Sequence, residues 1–245
     1  MTHISKVAVL GSGTMGAGIA GVCANAGCDV LLLDLDRANC ETAKERLAGG
    51  RSPVVPEPAT LDKIQTGSFD ADLAAIADCD WICEAIVEDV DIKRELFSKV
   101  EAVRSSGSIV TTNTSGIPLR DICNGMPDGL RQDIAVTHFF NPVHIMKLVE
   151  LIPGEDTRPE VIQTLASFLG DTLGKGVVYA KDTVNFIGNR IGCMWMLAGL
   201  HLAEDAMQND GLDMETVDAL MSSPVGLPAT GLYGLVDLIG LDVMY

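Results

Sequence analysis

Two polar residues in the middle of the chain, His138 and Glu150, have types that could move a proton together. His138 closes the apolar run Ala-Val-Thr-His138, and Glu150 follows inside Lys147-Leu-Val-Glu150-Leu-Ile. Histidine suits general acid–base catalysis because its ordinary pKa lies near neutral pH. A carboxylate within an apolar strand is costly unless it is paired, so Glu150 needs a partner. Glu150 could orient the imidazole and balance its charge, but a structural histidine, or a pair between Glu150 and Lys147, would fit these residues as well.

The position of His138 favours it over the other three histidines of the chain. His3 lies near the first residue, and His201 falls inside a helix-like segment after the last predicted strand. His138 ends a predicted strand, and open α/β sheets bind their ligands at the carboxyl ends of parallel strands. The chemistry that this residue type and position favour is removal of the hydroxyl proton of an alcohol as hydride leaves the carbon.

A glycine motif early in the chain predicts a nucleotide site. Gly11-Ser-Gly13-Thr-Met-Gly16 matches the pattern G-x-G-x-x-G, and it lies between a β-branched run and an Ala/Gly-rich helical stretch. Gly11 permits a tight turn, Gly13 lets the backbone approach a pyrophosphate, and Gly16 allows the helix to pack closely on the strand. The N–H groups at the start of the helix, around Thr14 and Met15, would face the phosphates. A glycine turn that only links the strand to the helix is the alternative.

An acid at the end of the second predicted strand completes the nucleotide pattern. Asp34 directly follows the apolar run Leu31-Leu32-Leu33. A carboxylate at this position can accept hydrogen bonds from both ribose hydroxyls, and its charge repels a 2′-phosphate, which favours NAD over NADP. Asp36 could take the same role, but Asp34 is preferred because it closes the strand.

Short β-branched runs alternate with helical stretches through most of the chain, which predicts a mostly parallel sheet covered on both faces. The expected fold class is α/β, with a Rossmann-type doubly wound sheet followed by a smaller all-helical C-terminal domain. The segment Gly49–Gly67 interrupts the alternation with three prolines and is expected to leave the sheet. The predicted strands are Lys6–Leu10, Asp29–Leu33, Trp81–Ala85, Ile109–Thr112, Ala135–His138, Leu148–Ile152 and Gly176–Tyr179. The predicted helices among them are Thr14–Ala26, Arg37–Ala48, Asp91–Val103 and Arg158–Leu173.

The sequence after Asp182 has no further strand pattern. A boundary is therefore expected near this residue, with a dinucleotide-binding domain over residues 1–182 and a helical domain over residues 183–245. Helices are expected over Thr183–Asn209, over Met214–Met221 and from Thr230 onward. About sixty residues are few for an independent core.

The charge of the chain argues against two classes of partner. Lys and Arg number 17 against 34 Asp and Glu, which gives a formal net charge of −17 at pH 7. A surface this acidic repels nucleic acid and anionic membranes. The seven cysteines form no CxxC pair and most lie in apolar stretches, which predicts buried thiols in a reducing compartment and no metal site. No signal peptide or membrane span is expected, so the expected location is the cytoplasm.

Five longer motifs carry a resemblance to a known family. They are Glu84-Ala-Ile-Val-Glu88 with Lys93 soon after it, Asn113-Thr-Ser115, His138-Phe-Phe-Asn141-Pro-Val-His-Ile-Met-Lys147-Leu-Val-Glu150, Lys181-Asp-Thr-Val-Asn-Phe-Ile-Gly-Asn189-Arg190, and Gly231-Leu-Tyr-Gly-Leu-Val-Asp-Leu-Ile-Gly-Leu-Asp242. In this order and with this spacing, the chain resembles the L-3-hydroxyacyl-CoA dehydrogenase family over nearly its whole length. The resemblance implies NAD as the cofactor and an acyl-CoA thioester as the substrate, oxidised reversibly from (3S)-3-hydroxyacyl-CoA to 3-oxoacyl-CoA.

The resemblance also implies roles for residues at the matching positions. His138 would be the general base in oxidation and the acid in reduction, with Glu150 as its partner. Ser115 and Asn189 would contact the substrate oxygen and the histidine. Asn141 would help to hold the reacting groups.

A second group of matching residues would lie along the cofactor: Glu88, Lys93, Asn113 and Ser115. Each of these positions, and Asn189, has an ordinary alternative. Glu88 and Lys93 could be a solvated pair at helical spacing, Ser115 could be a turn residue before a glycine, and Asn189 could be a polar residue at the start of a helix.

Departures from the family leave other functions open. The proline-rich segment Gly49–Gly67 differs from the helical excursion of the family, so contacts with CoA are not carried over to it. The helical domain of the family is longer than residues 183–245, so the resemblance implies that this domain is truncated and that the chain belongs to a longer polypeptide. The resemblance implies a homodimer formed through the helical domain, or a place in a larger bifunctional polypeptide with an enoyl-CoA hydratase. One alternative is a β-hydroxyacid dehydrogenase that acts on a free acid with Lys181 as its catalytic lysine. Another is an NAD-binding module whose incomplete second domain leaves it without catalysis.

Overall fold

The computed structural model describes residues 3–227 and 229–240. The chain divides into two compact units, Met1–Phe186 and Ile187–Tyr245, so the division lies shortly after the predicted boundary at residue 182. The last two residues of the final motif, Leu241 and Asp242, lie outside the described residues, as does the end of the helix expected from Thr230 onward.

The first unit contains an eight-stranded sheet with the order β3-β2-β1-β4-β5-β6-β7-β8. All neighbouring strands are parallel except β6 and β7, which are antiparallel. The mostly parallel, doubly wound sheet expected from the sequence is therefore confirmed. The strands are β1 Lys6–Leu10, β2 Asp29–Asp34, β3 Ile64–Ser68, β4 Trp81–Glu84, β5 Ile109–Thr112, β6 Ile134–Phe139, β7 Leu148–Pro153 and β8 Gly176–Tyr179.

Seven helices accompany these strands in the described part of the first unit. They are α1 Thr14–Asn25, α2 Arg37–Leu47, α3 Phe69–Asp72, α4 Val90–Val103, α5 Leu119–Ile122, α6 Asp128–Asp133 and α7 Pro159–Ser167. Turns of 3₁₀ helix cover Pro58–Lys63 and Leu73–Asp78, and a π-helical turn covers Phe168–Thr172 directly after α7. The predicted helix Arg158–Leu173 is therefore α-helical only in its first part.

Strand β1 shows why the sheet is covered on both faces. Val7 and Val9 are fully buried in the hydrophobic layer that contains α1 residues such as Ile19. Ala8 and Leu10 are fully buried in the opposite layer, together with Phe97 of α4. Successive side chains of a strand point to opposite faces. A strand that is apolar at every position therefore forms the centre of a three-layer α/β/α fold.

The structure corrects the expectation that Gly49–Gly67 lies wholly outside the sheet. Only the first part, up to the 3₁₀ turn, leaves it. Ile64–Ser68 forms β3, which pairs in parallel with β2 so that Asp34 lies opposite Ser68. Because β3 is an edge strand with one neighbour, only Ile64 and Gly67 of it are buried, and its sequence lacks the apolar run typical of the central strands.

The structure also corrects the start of the long C-terminal helix. A helix was expected from Thr183, but α8 runs over Gly188–Asp210. Asn185 and Phe186 have φ values of 60° and 44°, in the left-handed region that an α-helix does not use. The preceding Asp182 accepts hydrogen bonds from the backbone N–H groups of Leu119 and Arg120 at 2.6 and 3.0 Å, which ties this segment to the start of α5.

The second unit is helical in its described part, as expected. Helices α8, α9 Met214–Leu220 and α10 Tyr233–Ile239 share a small core. Asp218 of α9 accepts hydrogen bonds from the N–H groups of Tyr233 and Gly234 at 2.6 and 2.9 Å, so it fixes the start of α10. Over residues 3–227 and 229–240, no helix has the length and apolar character needed to cross a membrane.

Candidate active site

The glycine loop links β1 to α1, and its geometry explains two of its three glycines. Gly11 has φ 109°, and a Cβ there would lie 2.5 Å from the carbonyl oxygen of Ala85. A Cβ on Gly16 would overlap the carbonyl oxygen of Gly11. Both positions therefore require glycine, the first for the tight turn and the second for the close approach of helix to loop.

Gly13 differs from the other two glycines because the space around it is open. A Cβ built on Gly13 meets no described atom within 4 Å. Gly13 is the N-cap of α1, and no side chain caps this helix. The N–H groups of the first turn, at Thr14 and Met15, lie at the positive end of a helix of 12 residues, where an anionic group is stabilised. This arrangement fits the pyrophosphate of a dinucleotide.

Asp34 ends β2 beside the glycine loop. Its Oδ2 accepts two hydrogen bonds from Ser12, one from the backbone N–H and one from Oγ, both at 2.6 Å. Its Oδ1 accepts the backbone N–H of Leu35 at 2.7 Å. The glycine loop thus binds the side chain of Asp34, the acid expected to contact the ribose, through Ser12. Ser12 was not among the residues predicted from the sequence.

A buried ion pair lies beneath the segment that follows β4. The ammonium group of Lys93 lies 2.6 Å from Oε1 of Glu84, with exposed fractions of 1% and 0% for the two side chains. Oε2 of Glu84 accepts a hydrogen bond from Thr112 Oγ1 at 2.6 Å. Burial raises the pKa of Glu84, while Lys93 and the hydrogen bond from Thr112 act against that rise. The interpretation of Lys93 as a solvated partner of Glu88 is therefore wrong, because the lysine is buried and has two acidic neighbours.

Glu88 connects this buried pair to the loop after β5. Its Oε2 lies 3.3 Å from Lys93 Nζ, and 40% of its side chain is exposed. Its Oε1 accepts hydrogen bonds from Thr114 Oγ1 at 2.6 Å and from the backbone N–H groups of Ser115 and Gly116 at 2.8 and 3.1 Å. Burial alone would raise the pKa of Glu88, but Lys93 and these hydrogen bonds outweigh it and lower the pKa.

Asn113 fixes the neighbouring strand end. Its side-chain Oδ1 accepts the backbone N–H of Phe139 at 2.9 Å, which joins the loop after β5 to the end of β6. The structure therefore brings Glu88 and Ser115 together beyond the carboxyl ends of β4 and β5, and Asn113 joins this loop to the end of β6, the strand that contains His138.

His138 and Glu150 form a buried polar pair between β6 and β7. Nδ1 of His138 lies 2.7 Å from Oε2 of Glu150, and the two residues are direct partners in the register of β6 and β7. Both are buried, with exposed fractions of 4% and 1%. The rings of Phe140 and Phe186 lie 4.4 and 5.8 Å from the imidazole, measured between centroids. This geometry gives an imidazole with one nitrogen held by a carboxylate in an apolar surrounding, which suits proton transfer at the other nitrogen.

The remaining predicted residues lie in loops and in the second unit. Asn141 is exposed in the loop after β6, next to the cis peptide bond to Pro142. This loop is held by Lys175, whose ammonium group donates to the carbonyl oxygens of Val143 and Met146. Asn189 is half-buried at the second position of α8, in the other unit. Lys181, the residue considered for a free-acid dehydrogenase, is exposed.

Sequence reasoning assigned no role to Glu84, Thr114 or Lys175. Glu84 was detectable by the argument used for Glu150, since it also places a carboxylate at the end of an apolar strand, Trp81–Glu84. All seven cysteines are free thiols, and five of them are buried. No group of His, Cys, Asp and Glu able to hold a metal ion occurs among the residues that the structure describes.

The sequence matches two family models that together account for almost the entire chain. Residues 6–183 match the NAD binding domain of 3-hydroxyacyl-CoA dehydrogenase, and residues 186–245 match its C-terminal domain.

The chain belongs to the 3-hydroxyacyl-CoA dehydrogenase family. Its first unit contains the NAD binding domain of that family, which confirms NAD as the cofactor expected from the glycine loop and Asp34. The family resemblance inferred from the sequence motifs is confirmed as well.

Individual relatives agree with the family assignment. A putative fatty acid oxidation complex trifunctional enzyme of Rickettsia felis is 40% identical over 249 residues, which are 99% of this chain and 34% of the relative. A probable 3-hydroxyacyl-CoA dehydrogenase of Bacillus subtilis is 38% identical over 261 residues, covering 98% of this chain and 33% of the relative. The chain thus spans about a third of the length of these two relatives.

A solved structure shows the same fold. The crystal structure of 3-hydroxybutyryl-CoA dehydrogenase from Escherichia coli aligns with a TM-score of 0.83 at 32% identity, and the alignment covers 100% of this chain and 51% of that one.

Proposed function

We propose that this chain oxidises (3S)-3-hydroxyacyl-CoA thioesters reversibly to 3-oxoacyl-CoA, with NAD as its cofactor. The observation that carries the proposal is the buried His138–Glu150 pair, 2.7 Å between Nδ1 and Oε2. It lies at the end of β6, in the same sheet whose β1 leads into the glycine loop. Membership of the 3-hydroxyacyl-CoA dehydrogenase family supports the reaction type and the thioester substrate.

The residues of the first unit fit NAD. The open space at Gly13 and the uncapped start of α1 suit the pyrophosphate, and the carboxylate of Asp34 suits the ribose. Glu88, Lys93, Asn113 and Ser115 are proposed to border the cofactor, Lys93 through its contact with Glu88. When bound, NAD supplies the acceptor for the hydride that leaves C3 of the substrate.

His138 is proposed as the general base. Glu150 accepts a hydrogen bond from Nδ1–H, so the neutral imidazole has its lone pair on Nε2. Nε2 takes the proton of the 3-hydroxyl as the C3–O bond becomes a carbonyl. The imidazolium that results is stabilised by the carboxylate of Glu150. In the reductive direction, the same proton returns from Nε2 to the substrate oxygen.

Three further residues are proposed to act on the substrate. Ser115 and Asn189 would hydrogen-bond the substrate oxygen and keep it within reach of His138. Asn141 would help to hold the reacting groups at the end of β6. The network that ends on Glu88 Oε1 supports this proposal for Ser115, because it fixes the backbone of Ser115 and of Gly116.

The cellular context is proposed from the same family. Similarity to the putative fatty acid oxidation complex trifunctional enzyme of Rickettsia felis supports a role in fatty acid oxidation and a place in a larger multifunctional polypeptide. A homodimer is the proposed alternative state. The seven free thiols support a reducing compartment such as the cytoplasm.

The direct test is oxidation of NADH by the 245-residue chain with acetoacetyl-CoA, measured as the loss of NADH absorbance. Acetoacetate with NADH and acetoacetyl-CoA with NADPH are the controls. Turnover is expected only when acetoacetyl-CoA is combined with NADH, and in neither control. Turnover of free acetoacetate would assign the chain to free-acid dehydrogenases. NADH binding without turnover of either substrate would contradict the catalytic proposal for this chain.

A further inference from the structure

Ser12, the residue between the first two glycines of the loop, makes two hydrogen bonds to Asp34. Ser12 is buried, with 5% of its surface exposed. Its backbone N–H and its Oγ both donate to the same oxygen of Asp34, Oδ2, at 2.6 Å. The neighbouring strand ends are joined as well, because the N–H of Gly11 donates to the carbonyl oxygen of Leu33 at 2.7 Å.

These contacts determine which oxygen of Asp34 can serve a ligand. A carboxylate has about four acceptor positions, two on each oxygen. Among the described residues, Ser12 supplies two donors to Oδ2, while Leu35 supplies one donor to Oδ1. Oδ2 is therefore saturated, and Oδ1 keeps the capacity for one hydroxyl. In this orientation Oδ1 is the oxygen with an acceptor position left for a ribose hydroxyl.

We propose that Ser12 is a positioning residue that sets the preference for NAD(H) over NADP(H). By holding Oδ2, its hydroxyl keeps the Asp34 carboxylate in one orientation, with Oδ1 presented to the ribose and the negative charge fixed where a 2′-phosphate would lie. The inference rests on the proposed use of NAD and concerns the cofactor site alone.

The chain contains a matched control for this contact at the other end of β1. Ser5 donates its backbone N–H and its Oγ to one oxygen of Asp80, Oδ2, at 2.8 and 3.0 Å. Ser5→Ala therefore removes the same type of hydrogen bond between a serine and an aspartate beside the same strand. It does so at the amino end of β1, away from the glycine loop.

The test is direct titration of the protein with NADH and with NADPH, with binding monitored by the fluorescence of the cofactor. Circular dichroism checks that each variant is folded. Ser12→Ala is expected to weaken NADH binding about 3- to 10-fold, the usual effect of one lost hydrogen bond, and to leave NADPH binding unchanged or tighter. Ser5→Ala is expected to leave both dissociation constants within about 2-fold of the wild-type values. Ser12→Gly, which also removes the hydroxyl, serves as a second variant if Ser12→Ala does not fold.

A double-mutant cycle separates an effect through Asp34 from a general effect on the loop. In an Asp34→Ala background, Ser12→Ala is expected to change NADH binding by less than about 2-fold, because the group it positions is gone. An unchanged NADH dissociation constant for Ser12→Ala would overturn the inference. Equal weakening of NADH and NADPH, or an effect that persists without Asp34, would do so too. Failure of the wild-type chain to bind NADH would instead remove the cofactor proposal and, with it, this inference.

Discussion

His138 and Glu150 face each other across the only antiparallel strand pair of the described sheet, with Nδ1 and Oε2 2.7 Å apart. In an antiparallel pair, directly opposed residues place their side chains on the same face of the sheet. The strand reversal between β6 and β7 therefore brings the acid to the histidine. Both side chains are buried, so neither has ready access to water as an alternative partner.

His138→Gln is expected to lower kcat about 10²- to 10⁴-fold, the usual range for loss of a positioned acid–base group. NADH binding should stay close to the wild-type value, since the cofactor contacts proposed above do not include His138. Steady-state kinetics and NADH titration measure the two effects. His201→Gln, at an exposed position of α8, is the control. A variant with wild-type kcat would exclude His138 as the base.

Glu150→Gln is expected to lower kcat by roughly 10²- to 10⁴-fold as well, because the neutral amide neither stabilises the imidazolium nor enforces the Nδ1–H tautomer. Gln has the size of Glu, so the packing of β7 is preserved. Kinetics at neutral pH give the effect, and Glu155→Gln, at an exposed position shortly after β7, is the matched control. Retention of full activity would mean that Glu150 is structural.

Lys93→Met is expected to destabilise the fold by about 3–5 kcal/mol, since it leaves the carboxylate of Glu84 buried without its cation. Adding Glu84→Gln should restore part of the loss, because the uncompensated charge is then removed. Denaturant unfolding followed by circular dichroism measures both variants. Lys99→Met, in the same helix but with 57% of its side chain exposed, should have little effect. Equal stability of Lys93→Met and wild type would contradict an ionised buried pair.

Glu88 should contribute a pH-dependent part of the stability. Its pKa in the folded chain is lowered from the ordinary value of 4.5, so the folded state binds this proton more weakly than the unfolded state. Its contribution is therefore present above pH 4.5 and is lost as the pH falls through the lowered pKa. Glu88→Gln should flatten the fall in unfolding free energy over this acidic window, as measured by denaturant titrations at several pH values. If Glu57→Gln, at an exposed position, flattened the pH profile of the unfolding free energy equally, the pH dependence would not come from Glu88.

The glycine loop allows a prediction that separates folding from binding. Gly16→Ala should destabilise the fold by about 1–3 kcal/mol, because its Cβ overlaps the Gly11 carbonyl oxygen and the loop or α1 must shift. Gly13→Ala should cost less stability, since no described atom lies within 4 Å of its Cβ, yet it should weaken NADH binding where a pyrophosphate approaches. Thermal unfolding and NADH titration compare the two variants. The reverse pattern would place the pyrophosphate elsewhere.

The local features of the fold were predictable from the sequence. Strand β1, the glycine loop, α1 and Asp34 follow one another along the chain, and each requires only its own pattern and immediate neighbours. The predicted central strands and the helices α1, α2 and α4 agree with the structure to within about one residue at each end, within the usual variation of assigned boundaries. The short helices α3, α5 and α6 were not predicted, because segments this short have little periodicity of their own.

Features that depend on partners distant in sequence were predicted less well. Strand β3 was missed because its burial comes from pairing with β2 and not from an apolar run. The start of α8 was placed too early because nothing local in Thr183–Ile187 reveals the left-handed backbone at Asn185 and Phe186. Ser12 as the partner of Asp34 and Glu84 as a partner of Lys93 were not identified, since neither residue has a sequence signal that specifies which side chain it contacts.

The fold class, the family and the residue types of the candidate site follow from the sequence alone, because hydrophobic periodicity and short motifs are local properties. Which charged groups share a hydrogen bond, and which oxygen of each carboxylate is used, depends on the tertiary structure. Strand order and register fix those distances, and a shift of one residue would turn a side chain to the opposite face of the sheet. Three glutamates thus have different partners: Glu84 contacts Lys93 of α4, Glu88 contacts Thr114 in the loop after β5, and Glu150 contacts His138 of β6.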